Sequence, residues 1–195
     1  VYIKNRDKLG KNINIIHPGE YYITAEDELI GTLLGSCVSV CLHDSENHVG
    51  GMNHFMLPGR IRSGGFLSDD YAKYGITAIN KIINGMLEKG AKKENLTAKV
   101  FGGGSILNLS GSDGRRSMIP ADNIRIARIL LEIEDIPIIS TDVGSNYTRK
   151  VIFDAYTGKV YLRKIMKSDV SKMVVERDIK ILKIRENADG PTGEN

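Results

Sequence analysis

The strongest constraint on the fold is a pair of stretches separated by a short turn. The first is Leu33-Leu34-Gly35-Ser36-Cys37-Val38-Ser39-Val40-Cys41-Leu42, and the second is Gly50-Gly51-Met52-Asn53-His54-Phe55-Met56-Leu57. Between them lies the turn-prone run Asp44-Ser45-Glu46-Asn47. The first stretch leaves a small-residue turn, Gly35-Ser36, and enters an alternation of the kind a half-buried strand shows. Together the two read as the antiparallel strands of one hairpin. A turn centred between Ser45 and Glu46 pairs residues whose numbers sum to 91, and Cys37 with His54 is such a pair. Directly opposed residues hold their Cβ atoms roughly 4.5–5.5 Å apart, so the pattern proposes a thiol–imidazole dyad. The same register sets His43 opposite His48 near the tip, as two solvent-exposed imidazoles.

At 195 residues the chain fits one domain with a sizeable core. The net charge of +3 is mild, and Lys and Arg are scattered among acids, so a nucleic-acid surface is not expected. No apolar run reaches the length of a membrane-spanning helix, and Val1-Tyr2-Ile3-Lys4-Asn5-Arg6 lacks the core of a signal peptide. The expectation is a cytoplasmic protein without membrane insertion. The two cysteines agree. On one strand Cys37 and Cys41 lie about 13 Å apart at roughly 3.3 Å per residue, beyond the ~7 Å a disulfide spans. Free thiols fit a reducing compartment. His17, His43, His48 and His54 have no metal-motif spacing, and neither metal nor cofactor is expected.

Along the chain, residues 13–16 read as a short strand or docking segment and 21–24 as a strand, and a polar link then leads into residues 29–34 and the hairpin. Residues 58–65, opening on Pro58-Gly59, form a glycine-containing loop that is either a substrate rim or a plain surface loop. Ser68-Asp69-Asp70 offers a cap for a helix to about Lys89, with Ala78, Ile79, Ile82, Ile83, Met86 and Leu87 on one stripe and Gly90 as its terminator. Residues 96–101 are a strand that runs into Gly102-Gly103-Gly104-Ser105. Those glycines carry no phosphate-loop motif and suit a close backbone approach near a site. A second helix starts at Pro120-Ala121-Asp122-Asn123, followed by a strand at 136–140. A second hairpin turns at Ala155-Tyr156-Thr157-Gly158. Residues 170–184 fit a strand or a short helix. The fold class is therefore α+β: a single domain, a β-sandwich or large mixed sheet covered by two main helices. The domain covers 1–184, with 1–12 allowed to be mobile and 185–195 read as a disordered tail.

From about Tyr21 to Arg163 the chain resembles the chemoreceptor glutamine deamidase family, CheD. The resemblance rests on Leu34-Gly35-Ser36-Cys37-Val38-Ser39-Val40-Cys41, Gly50-Gly51-Met52-Asn53-His54-Phe55-Met56-Leu57-Pro58, Phe101-Gly102-Gly103-Gly104, and Asp142-Val143-Gly144 through Arg149-Lys150. It implies Cys37 as nucleophile and His54 as general base, on glutamines of the cytoplasmic helices of methyl-accepting chemotaxis receptors. It also implies the CheC phosphatase as a partner in systems that have one. The family threonine that completes the catalytic group falls on Gly31, with Thr32 one place later. Either Thr32 takes the role or a backbone carbonyl near Gly31 orients the imidazole. Where the family carries Arg-Asn before its second helix, this chain has Asp122-Asn123.

A free thiol has a pKa near 8.5 and needs a neighbouring base to become a nucleophile at neutral pH. The expected reaction is attack by Cys37 on a glutamine side-chain carbonyl, with His54 handling protons and backbone N–H groups around Gly35 and Ser36 holding the oxyanion. The competing class is a non-catalytic adaptor that docks on receptors or on a signalling phosphatase. A thiol protease is the third reading.

Overall fold

The computed structural model describes residues 2–4, 10–57, 75–105 and 119–166, together with Val170, Met173, Val174, Glu176, Arg177, Asp178 and Lys180. Among the described residues, ten strands lie in two five-stranded sheets. The outer sheet has the order β1 (Tyr2–Lys4), β2 (Ile13–Ile15), β4 (Leu29–Leu34), β9 (Thr148–Asp154), β10 (Val160–Ile165). The central sheet has the order β3 (Tyr21–Thr24), β6 (Val49–Asn53), β5 (Val38–Asp44), β7 (Leu96–Gly102), β8 (Ile138–Val143). Helices α1 (Gly75–Glu88) and α2 (Ile119–Ile133) cover the central sheet. No helix among the described residues is long and apolar enough to cross a membrane.

Period-two patterning explains the layers. Val38, Val40 and Leu42 point from β5 into the core shared with Ala78, Ile79, Ile82 and Met86 of α1. Cys37 and Cys41 point the other way, into the inter-sheet core with Ile30, Leu34, Phe101, Val151 and Phe153. Every residue of β5 is therefore buried, as a strand covered on both faces requires. Of the apolar stripe expected for α1, Ala78, Ile79, Ile82, Ile83 and Met86 pack into the core, while Leu87 is turned out and exposed. Gly90 ends the helix at φ +93, but the cap at Ser68 lies outside the described residues, as do the loop from Pro58 and the tail 185–195. Not every strand belongs to a hairpin. β2 runs parallel to β4, and β7 runs parallel to β8 with α2 between them in the chain.

The central hairpin has a different register from the one expected. β5 and β6 pair Cys41 with Met52, Leu42 with Gly51 and His43 with Gly50, so partner numbers sum to 93. The turn is Ser45 to His48, one residue further along than its sequence suggests. The cause is Asp44, whose Oδ1 accepts the N–H groups of Glu46 and Asn47 at 2.9 and 3.0 Å and wraps the next residues into the turn. His43 consequently faces Gly50 rather than His48. It is buried, and its Nε2 lies 3.1 Å from the Tyr156 carbonyl. His48 does sit at the surface, stacked on the Tyr156 ring at 4.3 Å. A shift of two in the sum leaves side-chain faces unchanged, because the period of a strand is two.

Candidate active site

In the observed register Cys37 is a diagonal rather than a direct neighbour of His54. Val38 and Phe55 form the direct bridge beside them, exchanging hydrogen bonds of 3.0 Å in both directions. Between this bridge and the ladder, Asn53 uses its side chain: Oδ1 accepts the Val40 N–H at 2.8 Å, and Ser39 Oγ donates to the Asn53 carbonyl at 2.5 Å. The imidazole and thiol still emerge on one face. The His54 backbone is clamped by the turn that precedes β3, donating to the Glu20 carbonyl at 2.9 Å and accepting from the Gly19 N–H at 2.7 Å.

Thr32, on the outer sheet, completes the contact across the sandwich. Its Oγ1 donates to the Ile16 carbonyl at 2.8 Å and lies 2.8 Å from His54 Nδ1. A hydroxyl has one proton to give. With that proton on Ile16, Nδ1 must carry the hydrogen between ring and hydroxyl, and Nε2 is left with a lone pair. Nε2 is buried without a hydrogen-bond partner among the described residues. The Gly31 carbonyl is engaged elsewhere, accepting the Ile16 N–H at 3.0 Å. Of the two sequence alternatives, Thr32 is the residue that meets the ring.

Gly35 and Ser36 lie beside Cys37, held through the backbone. The Gly35 carbonyl accepts the Gly104 N–H at 2.9 Å and the Cys37 carbonyl accepts the Gly103 N–H at 2.8 Å. Because the peptide is planar and trans, the Ser36 N–H points away from Gly104. The glycine run makes this approach feasible. Gly102 has φ +109, and a Cβ there would come 2.1 Å from the Cys37 carbonyl oxygen, so no larger residue fits. Behind it, the buried Arg149 ties the turn at 142–147 together through Asp142 Oδ1 at 2.6 Å and the Gly144 carbonyl at 2.8 Å. Gly144 N–H then bonds the Gly102 carbonyl at 2.9 Å. Asn123 of α2 is buried and donates to the Met56 carbonyl at 2.8 Å, two residues past His54.

One participant escaped the sequence reading. Asp178 lies on the helical residues near the carboxy terminus, and Cys37 Sγ donates to its Oδ2 at 3.2 Å. Arg177 holds the other oxygen through Nε at 3.0 Å and Nη2 at 2.7 Å, and Nη2 also reaches the Leu33 carbonyl at 3.1 Å. The available signal was the spacing of Val170, Val174 and Asp178, one face of a helix at intervals of four. Cys37, His54 and Asp178 are all buried, and one donor atom from each falls within 4.8 Å of the others. Among the described residues these three could offer ligands to one metal ion. The thiol–carboxylate bond accounts by itself for the approach of Cys37 and Asp178.

The electrostatics follow from burial. Burial pushes the Cys37 thiol well up, and the Asp178 charge pushes it further, against weaker pulls from Arg177 and Ser36. Burial drives the His54 imidazole well down, helped by the charges of Arg177 and His17. Both groups are neutral at pH 7 in this arrangement. Burial also raises the Asp178 carboxyl, although Arg177 opposes it.

Fold and site define a class: a two-sheet α+β protein with a thiol, an imidazole and a hydroxyl converging at one end of the inter-sheet core. The chain belongs to the CheD family. The family model, described as CheD chemotactic sensory transduction, matches residues 56–164. A relative from Hahella chejuensis, named "probable chemoreceptor glutamine deamidase CheD", is 39% identical over 171 residues, covering 87% of this chain and 77% of its own. A match of that length in this chain spans both Cys37 and His54. A similarly named protein from Geobacter sulfurreducens is 41% identical over 171 residues, covering 87% and 85%. One from Herminiimonas arsenicoxydans is 42% identical over 161 residues, covering 82% and 76%.

Proposed function

We propose that this chain is a protein-glutamine deamidase of the cytoplasm, converting glutamine to glutamate and ammonia on the cytoplasmic helices of methyl-accepting chemotaxis receptors. The observation that carries the chemistry is the hydrogen bond between His54 Nδ1 and Thr32, which leaves Nε2 with its lone pair on an imidazole that comes within 4.8 Å of the Cys37 thiol. The names of the relatives support the substrate class. In the proposed first step His54 Nε2 takes the thiol proton and Cys37 Sγ bonds the side-chain carbonyl carbon. The oxyanion is held by backbone N–H groups near Gly35 and Ser36. The carbon–nitrogen bond breaks, ammonia leaves with the proton from His54, and a thioester remains. Water, deprotonated by the same nitrogen, then cleaves the thioester to give glutamate and restore the thiol. Thr32 would keep the imidazole in the tautomer both steps need. The CheC phosphatase belongs to this proposal as a partner, on the strength of the family resemblance.

The test is to incubate the protein with a receptor cytoplasmic fragment and follow intact mass. Conversion adds about one dalton per glutamine and releases ammonia. Cys37→Ala is expected to reduce conversion to background, since removing a nucleophile leaves only what binding and the oxyanion site provide. Conversion that survives Cys37→Ala would sink the thioester route. No conversion by the intact chain on several receptors would favour the adaptor reading, and backbone cleavage would favour a protease.

A further inference from the structure

The proposed reaction has no use for Asp178 where it stands. A carboxylate that assists a thiol–imidazole pair does so by orienting the imidazole, but that position on His54 is filled by Thr32. Asp178 instead takes the proton end of the nucleophile itself, at 3.2 Å from Sγ. Its charge opposes thiolate formation, because a like charge disfavours the ionised form. It therefore works against the chemistry next to it.

Its shape explains why it is there. A side-chain carboxylate is a planar carbon bearing two oxygens, as in the glutamate product; aspartate differs from glutamate by one methylene, and from glutamine by that methylene and by an oxygen in place of the amide nitrogen. Unlike an amide or ester, it offers a thiol no good leaving group, so it can occupy the seat indefinitely. The segment that carries it is helical among its described residues. Val174 and Asp178, four apart, are buried on one face, while Met173 is 68% exposed. Arg177, on the turn between them, braces the carboxylate and fastens the segment to the Leu33 carbonyl.

We propose that the helical segment carrying Val174, Arg177 and Asp178 is an internal substrate analogue: Asp178 occupies the seat of the substrate glutamine, and the face it covers receives a helical protein segment that displaces it. The inference rests on the deamidase reading and deepens it by specifying the substrate. A helix that takes this seat carries its glutamine at the Asp178 position and an apolar residue four places earlier, where Val174 sits. The chain thereby holds its nucleophile neutral and shielded until such a helix competes for the site.

Two readouts test this in the full-length protein. In Asp178→Ala, alkylation of Cys37 by iodoacetamide at pH 7, read on the Cys37 peptide by mass, should run at least tenfold faster. The KM for a receptor fragment should fall while kcat changes less than about threefold. Equal alkylation rates overturn the proposal whether or not either protein deamidates the receptor, and so does a loss of kcat without faster alkylation. Faster alkylation with no deamidation by either protein would remove the proposed function and retain the shielding. Arg177→Ala, which leaves the core untouched, should move alkylation the same way by a few-fold and guards against misfolding of the first variant. Asp178→Gln supplies the decisive case. The amide it introduces should be hydrolysed in cis, with a gain of about one dalton at that position that disappears when combined with Cys37→Ala. An introduced amide that persists unchanged beside an active site competent on the receptor counts against the shared seat.

Discussion

The two ends of β5 bury polar groups in opposite ways. At the tip, Asp44 is buried, and its carboxylate accepts from the N–H groups of Glu46, Asn47 and Lys92 and from the side-chain amides of Asn47 and Asn95. Burial pushes its pKa up, but these donors prevail and hold it at about 2. At the mouth, Cys37 and His54 are equally buried and are left neutral, with one ring nitrogen unpartnered among the described residues and a thiol bonded to a residue from a distant part of the chain. A buried polar group that is fully satisfied rigidifies its surroundings; one that is not keeps a capacity to bond something else. The tip fixes the hairpin and the mouth keeps its options for a reacting partner.

The largest effect expected from breaking this contrast is at the mouth. His54→Gln should lower kcat for receptor deamidation by about a hundred- to ten-thousand-fold, the usual worth of a positioned proton-transfer group. The melting temperature should change little by comparison. If activity survives, proton transfer runs through some other group. At the tip the expectation inverts, with stability lost and chemistry kept. Asp44→Ala should cost on the order of 3 kcal/mol by removing several N–H bonds to one charged acceptor, measured by urea unfolding at pH 7. The sign with pH follows from a folded-state pKa below the ordinary carboxylate value of about 3.9. The Asp44 contribution is complete above that value and disappears as pH falls through about 2, so the variant's deficit should shrink over that window. A deficit unchanged from pH 6 to pH 2 would mean the charge is not what stabilises the turn. The smallest effect belongs to Cys41, which lies on β5 and faces the same core as Cys37 just before the strand. Burial pushes its thiol to about 12, and it lies in the inter-sheet core with Met52 and Phe153. Cys41→Ala should cost about 1 kcal/mol and leave kcat within twofold. A large loss of activity would show that the two thiols act together.

Much of this arrangement could be read before any coordinates, because strand periodicity is a local property. Alternation placed Cys37 and His54 on one face, and that survived a change of register since the change was even. The register itself was misplaced because it depends on how one side chain, Asp44, folds back on the turn, which residue counting does not reveal. Gly102 was legible as a close approach because the chain offers glycines where a strand ends. The choice of Thr32 over the Gly31 carbonyl needed the parallel pairing of β2 with β4, a contact between strands separated by β3 in the chain. Asp178 was out of reach for a similar reason. Its neighbours are remote in sequence, and a single acid on a short helical stripe looks like a solvated residue until the surface beneath it is known.

The Ile16 carbonyl, one residue past β2, gives the outer sheet an unexpected hold over the chemistry. By accepting the Thr32 proton, it decides which nitrogen of His54 carries hydrogen. A main-chain oxygen just past β2 thus works as a memory of proton location, one that no side-chain replacement can erase directly. Loosening β2 should therefore do more than reduce stability. It should free the Thr32 hydroxyl to donate to the ring instead, placing the proton on the wrong nitrogen of a site whose side chains are all intact.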